Sequence, residues 1–381
     1  WVLDDVGVTE VAVKRDPVTG DPQGAIGPDG KVFIGYGIFV EGARPDVEAG
    51  YPTYPMNYKA GWGYMLLTNF LPNQGNGTYK LYAIVTDKEG NVFTLGSKTI
   101  TCSNATAVKP FGTIDTPAQG GDASGNPYLN FGWVLTPLPK TVPTDGSTIS
   151  VYVDSVPVGN LATAPNVYNQ YRVDVATNFP GLNNTSGPVG AYFLDTTAYE
   201  NGVHTIYWIA YDDDGAGDGI GSRYFNIVNT GASPKPSWAS DLRAELGISN
   251  AGDLASVPAS RLPVSLTTGL DLKAQPRELL PDASGVCRVE IPELGRVVID
   301  LGEQNETSAV KPVRARYAGF LVVGDALRPL PIGSTLDRRT GRFSWMPGPG
   351  FVGTYDLAFV GRGDAGPLCS FRVRVEIKPK R

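Results

Sequence analysis

The sequence predicts an all-β chain of tandem β-sandwich units, and three observations carry that prediction. One segment of the chain occurs twice. Apolar and polar residues alternate in short stretches bounded by turns. Gly (47) and Pro (31) are enriched, while charged residues make up only 18% of the 381 residues, a composition of many strands and turns with few amphipathic helices.

The duplication is direct. Arg44–Pro52 reads R-P-D-V-E-A-G-Y-P and Arg172–Pro180 reads R-V-D-V-A-T-N-F-P. Gly61–Leu66 (G-W-G-Y-M-L) answers Val189–Leu194 (V-G-A-Y-F-L), and the N-G step at Asn76 answers that at Asn201. The spacing from Asn76 to Asn201 equals that from Gly96 to Gly221, 125 residues. W-V-L at Trp1 matches W-V-L at Trp133, so the first copy begins inside a strand that the second copy holds whole. Repetition of a domain-sized unit points to an array and away from a single enzyme body.

The elements follow in order. The first unit, 1–105, carries alternating strands at Val8–Arg15, Lys31–Val40 and Thr78–Asp87, and Gly90 supplies the positive-φ position of a hairpin. The second, 109–230, holds Tyr128–Leu135, the alternating Ser147–Asp154, a V-P-V-G stretch from Val156 read as a turn, and the strand starting at His204. About seven strands over about 120 residues describe an immunoglobulin-like sandwich. Residues 231–276 read as a structured linker with a short helix, Ser237–Leu246, capped by Ser240. The third unit, 277–381, is again a series of short strands.

At Gly333–Val360, G-S-T-L-D-R-R-T-G-R-F-S-W-M-P-G-P-G-F-V-G-T-Y-D-L-A-F-V, the chain resembles the bacterial putative-immunoglobulin and cadherin-like modules. The two upstream units resemble immunoglobulin-like repeats of bacterial surface and secreted proteins, through hairpins such as Thr86–Asn91. The resemblance implies an extracellular or cell-surface, non-catalytic role as spacer, adhesin or fibre subunit, and it transfers no active site.

In the second copy, 24 residues from Lys109 precede the shared W-V-L. Without their counterpart the first sandwich lacks its first strand and exposes backbone and apolar core. The expectation is that upstream sequence supplies the strand, or that a neighbouring copy donates it in a head-to-tail polymer. Opening on Trp1 without a signal-peptide pattern also reads as a processed or incomplete product.

Composition excludes several classes. A net charge of −6, with a basic run only at Lys378–Arg381, disfavours nucleic-acid binding. No run of eighteen apolar residues is present to cross a membrane as a helix. The three cysteines, Cys102, Cys287 and Cys369, have no metal spacing; a Cys287–Cys369 bridge and three buried thiols are both open readings.

Four residue sets are candidate sites. Asp212, Asp213, Asp214 and Asp218, interleaved with glycine, offer the oxygen ligands of a calcium loop without EF-hand spacing, and calcium is the one cofactor considered; the alternative is a solvated hairpin turn. Arg44 with Asp46 and Arg172 with Asp174 read as structural clamps that pin a long connection, or as a carboxylate or carbohydrate clamp. Tyr51, Tyr54, Tyr58 and Trp62 form a candidate interface for protein or surface glycans. His204, the single histidine, has no nucleophile elbow to serve. The function expected is structural or adhesive, with protein partners that include copies of the chain itself; the alternative is a carbohydrate-binding accessory region of a secreted enzyme.

Overall fold

The computed structural model describes residues 1–231, 246–271, 273–301, 316–363 and 366–380. The expected Ser240-capped helix lies outside the described residues. Within them the chain is all-β, with tandem sandwich units as its architecture.

The first unit comprises β1 (Val8–Arg15), β2 (Val32–Tyr36), β3 (Ile38–Phe39), β4 (Trp62–Gly63), β5 (Asn76–Asp87) and β6 (Val92–Ser103). One sheet runs β2-β1-β5-β6, and β3 pairs with β4 in a two-stranded ribbon. The β5–β6 hairpin turns through Gly90 at φ 87°. The second unit comprises β7 (Phe111–Thr116), β8 (Asp122–Ala123), β9 (Tyr128–Leu135), β10 (Ile149–Val153), β11 (Val156–Asn160), β12 (Val167–Gln170), β13 (Val189–Leu194), β14 (Gly202–Tyr211) and β15 (Gly217–Ile227). Its sheets run β11-β10-β14-β15-β8 and β12-β13-β9-β7, and their inner faces bury Ile114, Val134, Val151, Trp208 and Phe225 between them.

The repeat explains both units. The sheet order β2-β1-β5-β6 reproduces β11-β10-β14-β15. Val2 N–H donates to the Ala60 carbonyl as Val134 N–H donates to Pro188, both at 2.9 Å. Trp1–Leu3 therefore lies where β9 lies in the second unit. In the second unit β7 covers the neighbouring face: a Cβ built on Gly221 would meet Ile114 N at 3.0 Å, whereas one built on Gly96 meets nothing within 4 Å. Ile220 is accordingly fully buried and its counterpart Leu95 is exposed. Residues 1–105 thus hold the four-stranded sheet of the sandwich and, in Trp1–Leu3 and the β3–β4 ribbon, part of the opposing layer.

Two sequence readings need correction. V-P-V-G from Val156 is strand β11, and the turn precedes it at Asp154–Ser155 with φ 46° and 66°, the two positive values of a type I′ hairpin. The Asp154 carboxylate stabilises this turn by accepting from Thr205 N–H at 2.9 Å. The segment read as a linker also contributes β16 (Val264–Thr268), which pairs with β19 (Val297–Asp300). Apolar alternation over five residues is too short to be told from a loop by pattern alone.

The third unit adds β17 (Arg277–Leu279), β18 (Val286–Pro292), β20 (Arg316–Val323), β21 (Ala326–Arg328), β22 (Ser334–Asp337), β23 (Arg342–Trp345), β24 (Gly353–Gly363) and β25 (Gly366–Lys378). Sheets β17-β16-β19-β23-β22 and β18-β25-β24-β20-β21 face each other across Phe343, Trp345, Tyr355 and Phe359. A short helix, Ala251–Ser256, is capped by Asn250 and packs Leu254 on the outer side, against Phe320 and Val360. β18 lies parallel to β25 with Cys287 opposite Val373. Cys369 is four residues from that position, about 13 Å along a strand, so both thiols are free.

The units are joined through their polar atoms. Ser155 Oγ, in the I′ turn of the second unit, donates to the Gly333 carbonyl and accepts from Met346 N–H, both at 2.6 Å. Tyr224 OH donates to the Pro349 carbonyl at 3.0 Å, and Tyr355 OH donates to the Ala43 carbonyl of the first unit at 2.7 Å. Arg328 binds the buried carboxylate of Glu48. At Gly63 the first unit meets the third backbone to backbone: a Cβ there would lie 2.2 Å from Gly350 N. Phe70 closes the first unit onto the second, edge-on to Trp133 with centroids 6.2 Å apart.

Candidate functional site

The two Arg-x-Asp pairs adopt one geometry. Arg44 and Arg172 each precede a one-turn helix, Pro45–Gly50 and Val173–Asn178. Nε and Nη2 of Arg44 donate to the two oxygens of Asp46 at 2.7 and 2.5 Å, and those of Arg172 to Asp174 at 2.7 and 2.8 Å. The guanidinium bond holds both carboxyls below their usual range. Arg172 differs in also binding Asp115 on β7 through Nη1. Arg44 instead lies 5.7 Å from the centre of the Trp1 ring.

The aromatic set divides. Tyr51, Tyr54 and Tyr58 are 45%, 41% and 38% exposed. Trp1 and Tyr51, and Tyr51 and Tyr54, have ring centroids 5.9 Å apart, the latter pair edge to face. Trp62 packs with Val2, Val11 and Val85, and its buried indole N–H has no hydrogen-bond partner. The four residues therefore do not make a single platform.

The acidic run from Asp212 does not converge either. Asp212 is buried and its Oδ1 accepts the N–H groups of Asp214 and Ala216. Asp213 accepts from Thr141 N–H, and Asp218 from Gly219 N–H. Lys140 Nζ stands 3.7 Å from Asp212 and 3.2 Å from Asp214, a cation already in the place a metal would take. No group of three metal-ligating side chains occurs among the described residues. Hairpin-turn chemistry and calcium-loop chemistry draw on the same residue types, and in this geometry the carboxylates serve the turn and Lys140.

A cleft of about 680 Å³ opens between the first and second units, with a lip of aromatic residues that no sequence pattern singled out. Phe33 and Tyr36 of β2 stand on its lip, 47% and 57% exposed, with centroids 4.8 Å apart. Strict alternation would have put residues three apart on opposite faces. A register shift beside Val13 and Lys14 brings Tyr36 and Phe33 to one side. Opposite them stand Arg172, Asp115 and Arg223. Arg223 donates through Nε to the Ile114 carbonyl at 3.0 Å and through Nη2 to Thr113 Oγ1 at 2.8 Å. Burial draws its pKa down.

His204 sits beside the seam between the second and third units. Its Nδ1 is 2.5 Å from Asp154 Oδ2 and its Nε2 is 2.9 Å from the Glu200 carbonyl. Asp154 also offers its own carbonyl to Thr335 Oγ1 of the third unit at 2.7 Å.

Comparison with family profiles and with curated proteins gives no match. Among solved structures, the chain is similar to fibronectin(III)-like modules of Clostridium thermocellum CbhA, at 10% identity over 70% of this chain and 94% of that one, with a TM-score of 0.20. It is similar to the extracellular cadherin domains 1–4 of protocadherin gamma B7, at 11% identity over 97% and 67%, with a TM-score of 0.16. It is also similar to the Ig1-2 module of the Drosophila receptor protein tyrosine phosphatase DLAR, at 10% identity over 71% and 99%, with a TM-score of 0.18.

The His204–Asp154 pair, beside the seam, is expected to make stability pH-dependent. Burial lowers the imidazole pKa, the Asp154 bond raises it, and the net shift is upward from 6.5. The contribution to stability is full below 6.5 and is lost as pH rises through the raised value. Thermal unfolding followed from pH 5.5 to 8.5 is expected to show the midpoint falling through this window. In His204→Gln that fall is expected to be absent; an unchanged profile in the variant would remove His204 as its source.

Proposed function

We propose that the chain is a non-catalytic structural and adhesive module of an extracellular protein: one stiff block of three units that sets the spacing and orientation of whatever is attached to it. The observation that carries this reading is the seam, where Ser155, Tyr224 and Tyr355 aim buried polar atoms at backbone carbonyls of another unit. Directional bonds to a partner's backbone fix orientation in a way that apolar contact alone does not. Among the described residues no helix is long and apolar enough to cross a membrane. In ¹⁵N relaxation measurements, amides in all three units are expected to report one overall tumbling time for a 40.5 kDa body. A shorter time for any unit would contradict the reading.

A second reading, assembly by strand addition, is favoured by the open flank of the first unit. A cleft of about 530 Å³ there is lined by Trp1, Trp62, Leu81, Ala83 and Leu95. An extended strand laid beside Trp1–Leu3 in the manner of β7 would cover them. A labelled peptide with the sequence of residues 109–117 is expected to bind, and Leu95→Asp to abolish the binding. Peptide binding that is unaffected by Leu95→Asp, or no binding at all, would sink the reading. Electron microscopy then separates a polymer from a single chain that fills its own flank.

A further inference from the structure

We infer that the cleft between the first and second units is a binding site for an oligosaccharide that carries carboxylates. Its volume, about 680 Å³, lies within the range of small-ligand sites, and its two walls differ in kind.

One wall is aromatic. Phe33 and Tyr36 are exposed side by side at the lip, and neither ring is needed to fill a core. Rings of this kind cover the apolar faces of pyranoses while the Tyr hydroxyl stays free to bond. The opposite wall is polar and carries Arg172, Asp115 and Arg223. Of its two arginines, Arg172 is paired with Asp115 and Asp174, while Arg15, on β1 beside the aromatic strand, is paired with Asp21 at 2.6 Å. Arg223 bonds only to backbone carbonyls and Thr113, and no ion pair to it occurs among the described residues. Asp115, the carboxylate on this wall, is already engaged by Arg172. With Nε bonded to Ile114 and Nη2 to Thr113, and the charge of Asp115 nearby, the guanidinium keeps further N–H donors from which a carboxylate can accept. Neutral sugars would satisfy the aromatic lip and leave this cation as it is. A hexuronate chain answers both walls.

The inference gives the adhesive half of the proposed function a ligand and rests on that reading for its setting. The rigidity of the block is measured separately by tumbling, so the two fail independently. The test is calorimetric titration of the full chain with a tetramer of hexuronic acid and with a neutral glucose tetramer. The uronate tetramer is expected to bind, the neutral one at least tenfold more weakly. Raising salt to about 0.5 M is expected to weaken uronate binding. Phe33→Ala and Tyr36→Ala, at exposed positions where the unfolding midpoint should hold, are each expected to cost about tenfold in affinity. Tyr51→Ala, outside the cleft, is expected to leave it unchanged. Absence of uronate binding, equal binding of both tetramers, or a loss that follows Tyr51 and not Tyr36 would overturn the assignment.

Discussion

The seam between the units depends on one constraint: a polar atom buried there without a partner costs about 1–3 kcal/mol. The Tyr152 and Tyr207 hydroxyls packed against Met346 lack a partner, but the groups that bond across between units meet the constraint. Ser155 meets the constraint by both donating and accepting within the third unit. It is presented by a two-residue turn that holds Asp154 and Ser155 at positive φ, a conformation non-glycine residues rarely adopt. The Asp154 side chain stabilises the turn through Thr205 and His204. A surface hairpin of the second unit is thereby converted into a plug for the third. Tyr224 and Tyr355 extend the same logic to Pro349 and to Ala43, so the core of the third unit incorporates residues of both its neighbours.

The duplicated units show how context separates two copies of one pattern. β6 and β15 occupy the same place in their sheets, yet Val92 through Thr99 are exposed throughout, whereas β15 is largely buried. The difference is β7 and the length of β9 beyond Trp1–Leu3. The repeated clamps show the opposite: Arg44–Asp46 and Arg172–Asp174 keep the same two-bond geometry in both settings, because their partners are two residues apart and need no distant strand.

Much of this was legible in the sequence for identifiable reasons. The β5–β6 hairpin could be read because K-E-G-N places glycine where positive φ is required, and the W-V-L match located the strand that begins at Trp1. Local patterns of this kind act within a few residues. The cleft was not legible, because Phe33 and Tyr36 sit three apart in a strand whose register shift depends on its pairing with β1. Arg223 was also missed; its bonds run to residues more than a hundred positions away. Lys140 reaches the Asp212 run from 72 residues away, again beyond any local pattern. The I′ turn was misplaced because Asp-Ser is an unusual pair for it, selected by the seam and not by the hairpin.

The claim that the three units form one body is tested most directly by differential scanning calorimetry of the whole chain. The account predicts one cooperative transition, with calorimetric and van't Hoff enthalpies that agree. It also predicts that Tyr224→Phe combined with Tyr355→Phe, which removes the bonds to Pro349 and Ala43, splits or broadens that transition. Three separable transitions in the unaltered chain, indifferent to those substitutions, would show units that merely touch and would contradict the account.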